Sequence, residues 1–235
     1  MDSILEGFWK AFLLIVNLDA GLLKIIFLSL KVSGIAILIA ILIGLPVGTF
    51  IGLRKFTGRG LIISLLNSFM GLPPVVVGLF AYLILSRSGP LGFMGLLYSP
   101  SAMIIAQTIL AFPIVAALSH SAIIKVDPLT KQASLALGAT SFQASRTVLN
   151  EARYGIMAAI IAAFGRVMAE VGAILIVGGN IAGYTRVMTT TIVLEADKGE
   201  FEIAIALGII LLIVSFLINT GLYLLQKGGM LQTGQ

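Results

Sequence analysis

Cysteine is absent from this 235-residue chain, and histidine occurs once, at His120. Disulfides, thiolate nucleophiles, Cys-ligated metals and His-clustered metal centres are thereby excluded. Charge is scarce: 11% of the residues are Asp, Glu, Lys or Arg, against about a quarter in soluble domains. No G-x-x-x-x-G-K-[ST] occurs, so the chain lacks the loop that cradles nucleotide phosphates. No convincing nucleophile–base constellation is present, which disfavours an intramembrane enzyme. The start, "MDSILEGFWKAFLLIVNLDAG", has acids where a signal peptide has bases and no clear small-x-small site, so a cleaved leader is not expected.

What remains is oil. Hydrophobic residues make up 59% of the chain and the mean hydropathy is +1.11. A membrane span needs about 20 apolar residues, and breaking the sequence at its charges leaves five such segments. They cover about Val32–Leu53 (with a start near Leu22 as an alternative), then lie within Gly60–Ser86 and Ser99–Ile124, then cover Ile156–Val177 and Ile203–Gln226. The expected fold class is an all-α polytopic membrane protein, one transmembrane domain over 1–235. Residues 3–18 are amphipathic and short, so 1–21 reads as an N-terminal interfacial segment.

Orientation follows from Lys and Arg in short loops. Arg54, Lys55 and Arg59 follow the first span; Lys125, Lys131, Arg146 and Arg153 fall between the third and fourth; Lys227 follows the fifth. These loops are expected in the cytoplasm, with the N-terminus outside and the C-terminus inside. The net charge of +5 is assigned to such loops and not to nucleic-acid binding. His120 falls at the cytoplasmic end of span three and reads as interfacial.

The spans carry polar and helix-breaking residues. Gly44, Gly48 and Gly52 recur every four residues, making a flat stripe for close helix packing. Asn67 precedes the pair Pro73-Pro74, which should kink or break span two; the break is either a simple kink or the border of a gate.

Between spans three and four, residues 125–153 form a polar module. Asp127-Pro128 is an N-cap with proline at the first helical position. Gly138 can end that helix in the left-handed conformation. Thr140, three residues before Gln143, is a capping box that opens a second helix. Two short helices meeting at Gly138 are therefore predicted. A DNA-reading helix-turn-helix has this outline too, but the tether between spans and the paucity of bases oppose it. An ordinary solvated loop is the bland alternative. A docking element for a soluble partner fits better: Ala and Ser permit close approach and Phe142 supplies an apolar anchor.

At this module the chain resembles the permease subunits of bacterial ABC importers, whose cytoplasmic signature is Glu-Ala-Ala, three residues, Gly, nine residues, Ile-x-Leu-Pro. Here "QASLALG" sets Gln132, Ala133 and Ser134 before Gly138, and Val148 follows nine residues on. Gln132 replaces the usual Glu, Ser134 an Ala, and Asn150-Glu151 the Leu-Pro. The segments "SLKVSGIAILIAILIGLPVG", "LPPVVVG", "SGPLG" and "FPIVAAL" extend the resemblance to the molybdate and sulfate type, and "AEVGAILIVGGNIAGYTRVMTTTIVLEADKGEFEIAIALGIILL" looks most like the tungstate-uptake permeases. The resemblance implies the type I importer-permease fold, a homodimer enclosing the path, two cytoplasmic ATPase subunits that bind ATP and Mg, and an extracytoplasmic oxyanion-binding protein. No cofactor is expected in this chain. The ATPase-coupling surface so implied comprises Gln132, Ala133, Ser134, Gly138, Thr140, Phe142 and Arg146.

For an anionic cargo, Arg166 and Glu170 are candidates, four residues apart on span four and hence on one helical face. They either attract and release the anion, or form an ion pair that fixes packing, or leave Arg166 at the rim. Asn180 and the hydroxyls of Thr189 and Thr190, in and after a Gly-rich outer loop, are neutral donors or parts of a structured loop. A stand-alone ion-coupled carrier would be expected to show paired or repeated intramembrane carboxylates, whereas Glu170 is the only clear one, and no inverted repeat is evident.

Overall fold

The computed structural model describes residues 8, 9, 12, 13 and 20–231. The interfacial helix expected over residues 3–18 falls almost wholly outside them. Ten α-helices follow among the described residues: α1 Ala20–Leu53, α2 Arg59–Met70, α3 Pro74–Leu85, α4 Pro100–Ile124, α5 Pro128–Ala136, α6 Ser141–Glu151, α7 Arg153–Met168, α8 Gly172–Gly178, α9 Met188–Asp197 and α10 Phe201–Leu231. Three are individually long and apolar enough to cross a membrane: α1, α4 and the Phe201–Leu224 part of α10. The pairs α2/α3 and α6/α7 are bent by 101° and 60°; each taken as one crossing brings the number to five.

Helix α4 is central. Its apolar window is 61% buried, against 22% in α10, whose Leu212 and Phe216 point outward. Small residues make this possible: Ala102, Ala106, Ala111 and Ala116 are all 0% exposed, so neighbouring helices approach α4 closely. One core layer joins Ala40 of α1, Val115 of α4, Val167 of α7 and Leu207 of α10. A second joins Val32 to Val77 and Ala81 of α3, Ala106 of α4, and Ala173 and Val177 of α8.

The glycine stripe does what its spacing implies. A Cβ on Gly44 would sit 3.1 Å from Val115 Cβ, one on Gly48 2.5 Å from the Ala116 carbonyl oxygen, and one on Gly52 2.8 Å from Ile123 Cγ2. The stripe is thus the seam between α1 and α4. At the same end, Arg59 closes the α1–α2 turn, donating from Nε to the Ile51 carbonyl (2.8 Å) and from Nη2 to His120 Nε2 (3.3 Å). His120, one turn before the end of α4, is buried against Arg59.

Two spans differ from simple rods. The predicted break at Pro73-Pro74 is real: α2 ends at Met70, Pro73 is the extended N-cap of α3 and Pro74 occupies its first turn. The fourth span, expected as one helix over Ile156–Val177, instead stops at Met168 and restarts at Gly172. Its cause is Glu170, whose carboxylate accepts the Ala173 N–H at 3.0 Å and so satisfies an orphan donor of the new helix start. Gly172 assists by letting Val75 approach: a Cβ there would lie 2.8 Å from Val75 Cγ2.

Candidate coupling elbow and translocation path

The elbow α5–α6 is held by backbone chemistry at three points. Asp127 caps α5, its carboxylate accepting from Leu129 N–H at 2.8 Å. At the turn, Ala139 N–H donates to the Ser134 carbonyl and Gly138 N–H to the Leu135 carbonyl, both at 3.0 Å. That pair of bonds is a Schellman motif, and Gly138 supplies its left-handed residue with φ +87°. Thr140 and Gln143 complete the reciprocal capping box: Gln143 N–H reaches Thr140 Oγ1 at 3.3 Å and Thr140 N–H reaches Gln143 Oε1 at 2.8 Å.

One face of α6 seats the elbow on the bundle. Val148 and Ala152 are buried against Ile123 at the end of α4, with Leu53 of α1 packed beside them. The outward surface is apolar: Leu137 is 90% exposed, Phe142 78% and Leu129 64%. Gln132 and Ala133 are exposed on α5, while the Ser134 hydroxyl donates to the Thr130 carbonyl at 2.8 Å. Thr140 and Gln143 are therefore consumed in building the turn, and Gln132, Ala133, Leu137 and Phe142 are presented by it.

The path candidates divide. Glu170 is 4% exposed and lies where the two broken spans meet, since α3 packs on α8 through Gly78, whose Cβ would fall 2.8 Å from Ala173 Cα. Pro73 and Pro74 open α3 beside this junction. Thr189 joins it by donating Oγ1 to the Glu170 carbonyl at 2.9 Å. Arg166 does not: the break after Met168 takes Glu170 off its helical face, and Arg166 is exposed. Among the described residues no salt bridge joins Arg166 to Glu170. Asn67 is likewise exposed, on α2.

The hydroxyls expected as free donors are spoken for. Thr189, Thr190 and Thr191 lie in the first turn of α9 and not in a loop. Thr190 Oγ1 accepts from Val187 N–H at 3.1 Å and Thr191 Oγ1 donates to the Val187 carbonyl at 2.7 Å. Asn180 sits at φ +49° and donates to the Thr190 carbonyl at 3.3 Å, tying the preceding turn to α9.

Sequence reasoning marks Gln107 as a polar residue of span three but does not assemble the buried polar node it belongs to. Gln107 Nε2 on α4 donates to Ser33 Oγ (3.4 Å) and to the Val167 carbonyl (3.3 Å), and Ser29 Oγ accepts from Met188 N–H (2.9 Å). With Thr189 these residues line a cavity of ≈ 10 Å³, about the room for one water. The signal was available in the i, i+4 spacing of Ser29 and Ser33 within an otherwise apolar helix.

The bundle thus combines two broken spans with a capped elbow at one end. Over residues 44–228 the chain matches the family described as binding-protein-dependent transport system inner membrane component, and it belongs to that family. It is 42% identical to a tungstate uptake system permease protein of Peptoclostridium acidaminophilum, over 97% of this chain and 100% of the relative. It is 46% identical to a probable anion ABC transporter permease protein of Haloferax volcanii, covering 84% and 88%. A molybdenum transport system permease protein of Escherichia coli is 31% identical, covering 81% and 90%. Among solved structures, a bacterial ABC transporter involved in alginate import superposes with a TM-score of 0.74 at 18% identity, over 93% of this chain and 82% of that one. An inward-facing methionine ABC transporter gives 0.73 at 19% identity, over 90% and 97%. The importer-permease fold is thereby shared.

Proposed function

We propose that this chain is the membrane-spanning permease subunit of an ATP-driven oxyanion importer, with tungstate as cargo. The observation that carries the coupling half of this reading is the elbow. Leu129, Leu137 and Phe142 stand exposed on a module fixed by a Schellman turn and a capping box. Large apolar side chains held rigidly away from the bundle mark a surface made for a partner. That partner is a cytoplasmic ATPase, which binds ATP and Mg; the basic loops put the elbow and the C-terminus in the cytoplasm and the N-terminus outside. Because Val148 and Ala152 pack on the ends of α1 and α4, a push on Gly138 is transmitted into the bundle.

The exposed Arg166 supports a homodimer around a polar path. Ala158 and Ala162 on α7, and Ala169 just past its end, are exposed beside it. An arginine facing lipid at mid-membrane costs about 3 kcal/mol or more, whereas a second copy across a water-filled path leaves it solvated and facing the anion. Asn67 and the Pro73-Pro74 break belong to the same path. An extracytoplasmic binding protein delivers the anion from outside, and residues 1–235 act as one permease domain.

Tungstate is favoured over molybdate or sulfate by the 42% identical relative, against 31% for the molybdenum permease and 27% for a sulfate permease. A stand-alone carrier driven by proton exchange fits poorly, because the Glu170 carboxylate is engaged at a helix start. The deciding experiment reconstitutes the chain with its ATPase and binding protein in proteoliposomes. ATP-dependent tungstate uptake, competed more weakly by molybdate and sulfate, is expected. Uptake by this chain alone under an ion gradient overturns the reading.

A further inference from the structure

We infer that a groove between α1, α6 and α7 binds an anionic phospholipid, with its phosphate at the α6 end and an acyl chain along α7. The groove is open to the surface and has a volume of ≈ 800 Å³. At its α6 end it is lined by Arg146, Asn150 and Arg153, with Gln143 and Thr147 alongside. Further in, the lining turns apolar, with Leu45, Ile156, Met157 and Ile160. No Asp or Glu lines it; Glu151 instead lines a separate cavity with Lys125 and Asp127. The result is a cationic collar above an oily floor.

The dimensions suit a lipid. From Arg153 to Ile160 the rise along α7 is about 10 Å, and Leu45 lies about 12 Å before the end of α1. Both distances run from a headgroup level into the upper acyl region of a bilayer whose hydrocarbon core is about 30 Å thick. Guanidinium groups are fitted to phosphate, which they bind through paired N–H donors. Arg153 is oriented for this: Nη1 donates to Asn150 Oδ1 at 2.8 Å, Nη2 to the Tyr154 hydroxyl at 2.7 Å, and the guanidinium stacks 4.6 Å from the Tyr154 ring centroid. Arg146, which the resemblance also implies for ATPase coupling, is exposed and among the described residues makes no side-chain hydrogen bond or ion pair. A soluble protein could engage the collar but not a floor lying at acyl depth, and a free phosphate would leave that floor empty. Only an amphiphile uses both ends. The orientation in the Proposed function decides only which leaflet supplies it.

The test uses the full-length chain in phosphatidylcholine nanodiscs with and without phosphatidylglycerol, read by native mass spectrometry after gentle delipidation. Phosphatidylglycerol is expected to be retained and phosphatidylcholine lost. Each free arginine at an anionic headgroup is worth about fivefold, so Arg146→Gln weakens retention about fivefold, and adding Arg153→Gln weakens it further. Met157→Trp, which fills the floor and leaves the collar, is expected to lower retention too, and Arg146→Lys to restore part of the loss from Arg146→Gln. Because Arg146 holds no partner among the described residues, its single variant keeps the test valid if the double variant fails to fold. Unchanged retention in Arg146→Gln overturns the site. Displacement of the lipid by glycerol phosphate makes it a phosphate site only, and displacement on adding the ATPase, or a cross-link from the groove to a second copy, makes it a protein interface; each also overturns the proposal. None of these readouts requires transport, so the lipid site and the importer reading fail separately.

Discussion

Substituting Gly138 separates the cost of a turn from the cost of a docking surface. The residue sits at φ +87°, where an L-residue is strained by about 1–2 kcal/mol. A Cβ there meets nothing within 4 Å, so within this chain the penalty is conformational and not steric. Gly138→Ala should therefore weaken the elbow by about 1 kcal/mol, and Gly138→Asn by less, because its short amide tolerates the left-handed region. Gly138→Trp should cost the isolated permease hardly more than alanine does, since its ring projects into open space. Against a closely docked ATPase the ring has no room, and association should fall at least tenfold beyond the alanine variant, about 1.4 kcal/mol. Hydrogen exchange at the Gly138 and Ala139 amides reads the turn; ATPase co-purification and ATP-driven uptake read the docking. If alanine and tryptophan weaken association equally, Gly138 is not at a close interface. If tryptophan alone raises exchange across α6, the turn is packed within the chain and the separation fails.

Other perturbations follow from the same contacts. Gly48→Val drives side-chain atoms at the Ala116 carbonyl 2.5 Å from the Cβ position, and should cost about 1–3 kcal/mol of stability; a wild-type melting curve in detergent would contradict the seam. Thr140→Ala removes the acceptor of the Gln143 N–H and should cost about 1 kcal/mol, seen as faster exchange at the start of α6. Arg166→Gln should reduce tungstate uptake without lowering the melting temperature; a stability loss with normal uptake would make Arg166 structural. Glu170→Gln keeps an oxygen for the Ala173 N–H and should transport, whereas Glu170→Ala should lose about 1–3 kcal/mol by orphaning that donor. An inactive but well-folded Glu170→Gln points to a titrating carboxylate and to the carrier reading.

Legibility in the sequence tracked the range of the interaction. The elbow could be read residue by residue because Asp127, Gly138 and the Thr140–Gln143 pair act within three or four positions of themselves. The glycine stripe was legible for a related reason: helical periodicity alone puts Gly44, Gly48 and Gly52 in line. The break after Met168 was hidden, because "GRVMAEVGAILIVG" has the hydropathy of a continuous span apart from its two charges. Its cause, a carboxylate turned onto a backbone N–H with α3 pressed against the restart, exists only in three dimensions. The Thr189 hydroxyl misled for the same reason: nothing nearby in sequence announces a partner 19 residues away at the Glu170 carbonyl. Arg166 and Glu170 were paired by helical spacing, and that rule lapsed where the helix did.

The α1–α4 seam also restricts how such a molecule can move. Where side chains interleave, helices can slip by trading rotamers; at Gly48 backbone lies against backbone, with no compressible layer between α1 and the Ala116 carbonyl, and Val115 and Ile123 fill the space over Gly44 and Gly52. A displacement of one helix along the other would run the Gly44–Gly52 track off its register, like a key forced past its wards. The two helices are therefore expected to travel as a single slab, leaving changes of shape to the helix interruptions at Pro73, at Ala152 and at Ala169–Val171. Any opening or closing then becomes a matter of bending at such creases, with the slab between them setting the stroke.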